Sequence, residues 1–269
     1  MAIYHLSVRT ISRKNNERAE ARFAYIKRAG RYASDAVEVL YQCDGNMPQW
    51  AAGNVARFWQ AADTYERKNG RLFKQIEFAL PIELASDAQR AAALELVQAV
   101  TQTAAGPLPF SMAIHAGHGR GNPHVHVMVS ERVNDGTERG PAVWFSRAGR
   151  RTGGKEGGAK KTRSLKSPEW LLWLRHAWEA IANRALEAAG CDARIDCRTL
   201  RAQGIDRAPQ KHRGPARDAI RRKLEAAAEQ DADALAEANA AFFDAFEDAD
   251  LADREGRDPE NGPEFPPLL

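Results

Sequence analysis

The sequence predicts an α+β fold in which a largely antiparallel sheet carries helices on one face. The length of 269 residues, with 43% hydrophobic and 28% charged residues, fits a globular protein of one full domain and an extension. Several short segments alternate apolar and polar residues, as the strands of a half-buried sheet do. Helical and strand patterns mix without the regular βαβ order that is typical of a parallel sheet, which favours antiparallel pairing.

The strands are predicted from this alternation. The four principal ones cover residues 3–9, 71–80, 110–115 and 124–129. Pro81 ends the second, because proline cannot donate to a strand ladder. The Gly-rich segment 116–123 is short enough to join the last two as a hairpin. A further short strand is predicted at residues 193–196.

Four helices are predicted in the body of the chain, at residues 17–32, 51–69, 86–103 and 167–190. Ser86 and Gln89 have the spacing of a capping box at the start of the third. Ser167 caps the fourth, with Pro168 at its first position and Gly190 just past its end. The Gly-, Arg- and Lys-rich segment 134–166 lacks periodicity and is predicted to be a long loop.

The formal net charge of +3 is the sum of two opposed parts. Residues 1–225 have a net charge of +14, whereas residues 226–269 carry thirteen acids and two bases. So basic a body predicts a surface for a polyanion such as a nucleic acid, although a well-solvated surface is the plainer alternative. The acidic tail, helical over 219–250 and Pro/Gly-rich after 255, would dock a partner, compete with DNA or act as a solubilising appendage.

Cysteine usage and hydropathy predict a cytoplasmic location. The three cysteines show no metal-ligand spacing and cannot all pair with one another, which is typical of reduced thiols. There is no run of about 18 apolar residues, so no membrane insertion is expected. The N-terminus lacks the pattern of a signal peptide.

A histidine cluster is the most distinctive feature. His124 and His126 stand two apart in a predicted strand and therefore project from the same face. His115 ends the preceding strand, so a hairpin would bring three imidazoles together, with His118 as a weaker fourth candidate. Three imidazoles leave positions on a divalent ion open, as in a catalytic site. A histidine pair on a sheet without metal is the alternative.

Two further groups could belong to such a site. Glu77, on the predicted strand 71–80, would orient a ligand imidazole or take a proton if its strand lay beside the histidines; otherwise it faces solvent. On the first helix, Arg18, Arg22, Tyr25 and Tyr32 share one face. Arginines beside a tyrosine can bind a phosphate that the tyrosine attacks, although Tyr25 could equally be a packing residue.

The segment 139–166 contains nine bases and one acid. With Trp144 and Phe145 it would offer phosphate contacts and stacking surfaces for unpaired bases, or else only non-specific affinity. The candidate DNA-binding residues are Arg18, Arg22, Arg147, Arg150, Arg151, Lys160 and Lys161.

Several motifs in a fixed order resemble the MobA/MobL family of plasmid mobilisation relaxases, and in particular the mobilisation proteins of IncQ-type plasmids. They are MAIYH at 1–5, AYI at 24–26 with GRY at 30–32, EFALP at 77–81, HAG at 115–117, NPHVHVMVSER at 122–132 and DARID at 192–196. The resemblance covers roughly residues 1–208, which we take as the relaxase domain, with a linker and tail at 209–269. It implies the HUH endonuclease fold, a central antiparallel sheet with flanking helices.

The resemblance also implies a function. It indicates a strand-specific endonuclease that nicks and rejoins single-stranded DNA at a transfer origin through a 5′-phosphotyrosyl intermediate. Tyr25 would be the nucleophile, His115, His124 and His126 the metal ligands, and Glu77 an acidic neighbour; relatives often carry a second Glu where this chain has Gln75.

The metal and the partners follow from the same resemblance. Three histidines favour Zn²⁺, Ni²⁺ or Cu²⁺ on intrinsic affinity, but the resemblance implies Mg²⁺ or Mn²⁺. It also implies accessory mobilisation proteins and a coupling protein with a type IV secretion system. The rival hypothesis is a non-catalytic DNA-binding or replication-accessory protein.

Overall fold

A computed structural model describes residues 4–33, 38–117, 123–149 and 157–206. The strands are β1 (Leu6–Ser12), β2 (Val39–Gly45), β3 (Arg71–Ala79), β4 (Gln102–Thr103), β5 (Gly106–Pro107), β6 (Phe110–His115) and β7 (His124–Val129). The helices are α1 (Ala19–Ile26), α2 (Gln49–Ala52), α3 (Val55–Tyr65), α4 (Ser86–Thr101), α5 (Pro141–Trp144) and α6 (Pro168–Ala188). Short 3₁₀ turns occupy Arg13–Asn15, Gly30–Tyr32 and Ser164–Lys166.

The central sheet has five strands in the order β1-β3-β7-β6-β2, and every neighbouring pair is antiparallel. Strands β4 and β5 form a separate two-stranded pair. The central position of β7 follows from its composition, since alternate residues Val125, Val127 and Val129 are all buried. The predicted α+β class with an antiparallel sheet is confirmed.

The helices lie on both faces of the sheet, as the family resemblance implies and not on one face as the residue pattern alone suggested. The valines of β7 pack with Leu96 of α4 and Trp178 of α6. On the other face, Met128 packs with Ile26 of α1 and Trp59 of α3. Glu77 of β3 and His126 of β7, which are polar positions of these strands, lie against Arg22 and Tyr25 of α1.

Several predicted element ends are wrong for identifiable reasons. The second predicted helix is two helices, interrupted at Gly53 and Asn54. The Ser86 capping box does not form. The side-chain amide of Gln89 donates instead to the backbone carbonyl of Pro81 at 2.8 Å. The Ser167 cap is confirmed: its hydroxyl accepts from the Trp170 amide.

The predicted strand at 193–196 is also absent. Its backbone is bound by a side chain instead, because the Asn183 amide group donates to the Ile195 carbonyl and accepts from the Ile195 amide. A single asparagine thus does for this segment what a neighbouring strand would do.

The segment 134–166, predicted as a long loop, is tightly bound to the domain where it is described. Arg132, just after β7, donates from its guanidinium to the carbonyls of Phe145, Ser146 and Ala159 and to the Glu66 carboxylate. Trp144 and Phe145 are therefore buried, at 0% and 1% exposure, so the prediction that they stack on DNA bases is wrong.

Described residues up to Cys197 belong to one compact unit, and those from Arg198 onward to a second. In the second, the Ile205 amide donates to the Leu200 carbonyl and the Gln203 side chain to the Arg198 carbonyl. Among the described residues no helix has the length and apolar character needed to cross a bilayer. The predicted boundary after residue 208, the linker and the acidic tail lie outside the described residues.

Candidate metal centre and nucleophile

The three histidines meet at the start of β7. His115 and His124 are direct partners in the β6–β7 ladder, and His126 projects from the same face as His124. Their ring centroids are 4.7 to 5.6 Å apart, and one nitrogen from each ring lies within 4.8 Å of the other two. We call this set the histidine centre. His115 and His126 are buried, whereas His124 is half-buried and opens the cluster toward solvent.

The ring nitrogens of the histidine centre suit a cation. Nε2 of His115 donates to the Ile26 carbonyl at 2.8 Å. Its Nδ1 is therefore the unprotonated nitrogen, with a lone pair that can bind a cation. Among the described residues, neither Nδ1 of His115 nor Nε2 of His126 has a hydrogen-bond partner. Buried polar atoms without partners are costly, and a divalent metal would satisfy them. The donor set therefore fits the predicted metal.

Burial favours the neutral imidazole at His115 and His126, and neutral imidazole is the form that binds a metal. It lowers the pKa of His115 to about 4; the bond to the Ile26 carbonyl opposes this shift, and His126, Arg28 and His124 add to it. Burial also lowers the pKa of His126, against the opposing effect of Glu77.

Glu77 lies beside the histidine centre, which is the condition on which its predicted part in the site depends. It is the ladder partner of His126, and its Oε2 lies 3.1 Å from Nδ1 of His126. Burial acts to raise the pKa of Glu77, but His126, His124 and Arg22 outweigh it and bring it to about 2. Because Oε2 of Glu77 lies within hydrogen-bond distance of Nδ1 of His126, the geometry favours a carboxylate that orients this imidazole.

Tyr25 of α1 lies directly against the histidine centre. Its ring centroid is 5.9 Å from that of His126 and 6.3 Å from that of His115. The guanidinium carbons of Arg22 and Arg28 lie 4.6 and 4.5 Å from the same ring. Tyr32 packs edge-on against it at 5.4 Å. The predicted nucleophile, two cations and the candidate ligands thus share one site.

The end of α1 explains this arrangement and differs from the prediction. The helix stops at Ile26, six residues early, in a Schellman motif: the Ala29 amide donates to the Ala24 carbonyl and the Arg28 amide to that of Tyr25. Arg28 occupies the left-handed position, at φ +49°, where glycine is usual. This turn directs Arg28 toward Tyr25 and the Ile26 carbonyl toward His115.

Two contacts hold α1 on the sheet. The carboxylate of Asp63 in α3 accepts from the amides of Ala19 and Glu20 at the first turn, where a helix favours an anion. The ammonium of Lys27 pairs with Asp44 and also donates to the carbonyl of Met112. Both ends of α1 are therefore tied to other elements.

The predicted DNA-binding residues fall into four groups. Arg18, Arg147 and Lys160 are exposed, and Arg22 lies between Tyr25 and Glu77. Lys161 is engaged inside the domain, 3.0 Å from the Glu66 carboxylate and bound to the Arg71 carbonyl. Arg150 and Arg151, like His118, lie outside the described residues.

Arg28 and the Ile26 carbonyl are site groups that the sequence did not predict. Arg28 stands three residues after Tyr25 but lies beyond the end of α1, and the Schellman turn places its guanidinium over the ring. A backbone carbonyl carries no residue signal at all. The glycine two residues later, Gly30 at φ +57°, is the one local hint that the helix stops here.

Comparison with known proteins identifies the family of this chain. The model of the MobA/MobL family matches residues 2–223. Mobilization protein A from Escherichia coli is 54% identical over 215 residues, covering 80% of this chain and 30% of that protein. The 43 kDa relaxation protein from Salmonella typhimurium is 39% identical over 216 residues, covering 77% of this chain and 56% of that protein. The chain thus spans about a third to just over half of these relatives.

One solved structure shares the fold. It is described as "Molecular Basis of Vancomycin Resistance Transfer in Staphylococcus aureus" and superposes with a TM-score of 0.54 over 74% of this chain and all of that one. The identity is 20%, so the likeness concerns the arrangement of sheet and helices alone.

Proposed function

The chain belongs to the MobA/MobL family, and from this premise we propose that it is a relaxase that nicks and rejoins one DNA strand at a plasmid transfer origin. The observation that carries the proposal is the contact of the Tyr25 ring with the rings of His115 and His126. A tyrosine beside a candidate metal centre and two guanidinium groups has what phosphodiester transesterification needs.

The reaction conserves the phosphodiester bond energy. The Tyr25 oxygen forms a bond to the scissile phosphorus while the bond to the 3′ oxygen breaks, which leaves a 5′-phosphotyrosyl strand and a free 3′ hydroxyl. The phenolic proton leaves the tyrosine and a proton is taken up at the 3′ oxygen. The reverse reaction rejoins the strand.

Each neighbour of Tyr25 has a distinct part in this scheme. A divalent ion held by His115, His124 and His126 supplies Lewis-acid stabilisation of the phosphoryl charge when bound. Arg22 and Arg28, whose guanidinium groups both lie against the Tyr25 ring, bind the phosphate oxygens and orient them for attack. Glu77 orients His126, and the Ile26 carbonyl fixes the tautomer of His115.

The substrate strand follows the exposed bases. Arg18 at the start of α1 and Arg147 and Lys160 of the 139–166 segment offer phosphate contacts outside the site. Lys161 is left out of this set because its ammonium pairs with Glu66. The physiological metal in this proposal is Mg²⁺ or Mn²⁺, as the family resemblance implies.

The partners are proposed from the relatives. Proteins named for conjugal transfer, such as a probable TraA of Sinorhizobium fredii, align with 83% of this chain. We extend the proposal to accessory mobilisation proteins and a coupling protein of a type IV secretion system, with the reaction in the cytoplasm where the plasmid resides.

The decisive experiment is adduct formation with Tyr25→Phe. The protein is incubated with a single-stranded oligonucleotide of its transfer origin and Mn²⁺, and the products are run on a denaturing gel. Tyr25→Phe is expected to bind the oligonucleotide normally and to form no covalent adduct, because the nucleophilic oxygen is gone.

Tyr32→Phe is the matched control, since this ring touches Tyr25 and lies in the same site. It is expected to retain the adduct. An adduct that survives in Tyr25→Phe would exclude Tyr25 as the nucleophile and point to Tyr32 or Tyr4. The absence of any adduct with wild-type protein on its cognate origin would favour the rival, a non-catalytic DNA-binding protein.

A further inference from the structure

A second cluster of metal-ligating side chains lies on α6, which packs on the sheet face opposite the histidine centre. His176 and Glu179 are one helical turn apart, and Cys197 follows in the extended segment after the helix. Nδ1 of His176 lies 3.3 Å from Sγ of Cys197 and 3.4 Å from Oε2 of Glu179. One donor atom from each residue lies within 4.8 Å of the other two.

The backbone brings Cys197 to this place independently of any ligand. The Asn183 side chain binds Ile195 through both its amide and its carbonyl, and the Arg175 guanidinium donates to the Cys197 carbonyl. The Cys197 amide donates to Oε1 of Glu179 at 3.3 Å, so the backbone of Cys197 is also bound to α6. The three donors are therefore held close together before a cation arrives, which lowers the cost of binding one.

We propose that His176, Glu179 and Cys197 form a second metal site, which takes a thiophilic divalent cation such as Zn²⁺. A thiolate, an imidazole and a carboxylate are each ordinary zinc ligands, whereas Mg²⁺ prefers oxygen ligands and retains water. Three protein donors leave the fourth tetrahedral position to water. His176 is 53% exposed, which provides an entry path, while Cys197 lies at the buried end.

The sequence hid this site because its ligands are not spaced as a metal motif. His176 and Glu179 are three residues apart on a helix, but Cys197 lies eighteen residues after Glu179. The hydrogen bonds between the Asn183 side chain and Ile195 bring the segment of Cys197 back to α6.

The neighbouring Tyr4 adds a polar group: among the described residues its buried hydroxyl has no hydrogen-bond partner. Its ring also lies 5.4 Å from the Arg175 guanidinium carbon.

Binding has a defined proton balance. Burial, assisted by Glu179, raises the pKa of Cys197 to about 11, so the thiol carries its proton at neutral pH. The metal–sulfur bond forms as that proton is released to solvent, and no oxidant or reductant is needed.

Co²⁺ is the probe, because a thiolate ligand gives Co²⁺ a near-ultraviolet charge-transfer band that histidine and carboxylate ligands do not. The band therefore reports this site even when Co²⁺ also fills the histidine centre. Metal-free, reduced full-length protein is titrated with Co²⁺ and then with Zn²⁺. The band is expected with wild-type protein and is expected to vanish as Zn²⁺ displaces Co²⁺.

Three variants assign the ligands. Cys197→Ser is expected to abolish the band, and His176→Ala to weaken Co²⁺ binding at this site by about tenfold or more. Cys191→Ser is the matched control and is expected to retain the band. The half-exposed His176 can be replaced without disturbing the core, so a folding defect in Cys197→Ser would not remove the test.

Three outcomes would overturn the proposal. They are no charge-transfer band in wild-type protein, a band that persists in Cys197→Ser, or unchanged Co²⁺ affinity in His176→Ala. The adduct assay is separate from this one, since His176→Ala leaves Tyr25 and the histidine centre intact and is expected to cleave as wild type does. Failure of either proposal therefore leaves the other standing.

Discussion

Strand β7 has a polar cluster at each end, and the two differ in how their atoms are satisfied. At its start lies the histidine centre, whose buried nitrogens include several without hydrogen-bond partners among the described residues. Beyond its end lies the Glu66–Arg132 network, formed by Glu66, Arg71, Glu131, Arg132 and Lys161.

In the Glu66–Arg132 network the charges are paired. Arg132 gives its guanidinium hydrogens to Glu66 and three carbonyls, and Arg71 pairs with Glu131 through both carboxylate oxygens. Buried charges that are fully paired hold elements in place, whereas buried imidazole nitrogens without a hydrogen-bond partner can bind a metal ion. The comparison teaches that the charged side chains of the scaffold are paired with one another, whereas His115 and His126 keep nitrogens without a partner among the described residues.

The largest effect is expected from a substitution that breaks the Glu66–Arg132 network. Arg132→Met leaves the Glu66 carboxylate with the Lys161 ammonium and the Arg67 amide, and removes the donor from three carbonyls. We expect the free energy of unfolding, measured by urea denaturation, to fall by about 3–5 kcal/mol. Arg147→Ala, exposed in the same segment, should change it by less than about 0.5 kcal/mol. A loss below about 1 kcal/mol for Arg132→Met would show that the network does not hold the segment.

At the histidine centre we expect the opposite pattern, with little change in stability and a large loss of metal binding and adduct formation. His124→Ala removes a half-buried ring that carries little of the packing, so the stability of the metal-free protein should change by about 1 kcal/mol or less. Mn²⁺ affinity, measured by calorimetry, and adduct formation should both fall by at least about tenfold, because a ligand is lost. Normal cleavage with normal Mn²⁺ affinity would refute the metal role of this residue.

The smallest expected effect concerns DNA binding, and it distinguishes the roles of two adjacent lysines. Lys160 is exposed, so Lys160→Ala should weaken binding of single-stranded DNA and reduce the slope of log K against log salt by about 0.7. Lys161→Ala should instead lower stability, because its ammonium pairs with Glu66. Filter binding across a salt series, with urea denaturation of both variants, distinguishes them. Equal salt slopes for Lys160→Ala and wild type would remove Lys160 from the DNA path.

Much of the histidine centre was predictable from local rules. The spacing of two places His124 and His126 on one face of any strand, and a short turn makes His115 their neighbour in a hairpin. Glu77 was predictable only conditionally, since its side of the strand follows from alternation but its neighbouring strand does not. The roles of Trp144 and Phe145 were mispredicted because a basic, Gly-rich segment gives no sign that Arg132 binds it to the core.

By itself the sequence determined the antiparallel α+β class, the shared face of the histidine pair and the family, because these depend on spacing within single segments and on motif order. The tertiary structure decided what joins distant segments: Tyr25 against His126, Arg132 on Glu66 and Cys197 beside His176. The physical reason is that strand partners, helix ends and buried ion pairs are selected by packing and by the need to satisfy buried polar atoms. Those requirements are met by residues far apart in the chain, and no local pattern records them.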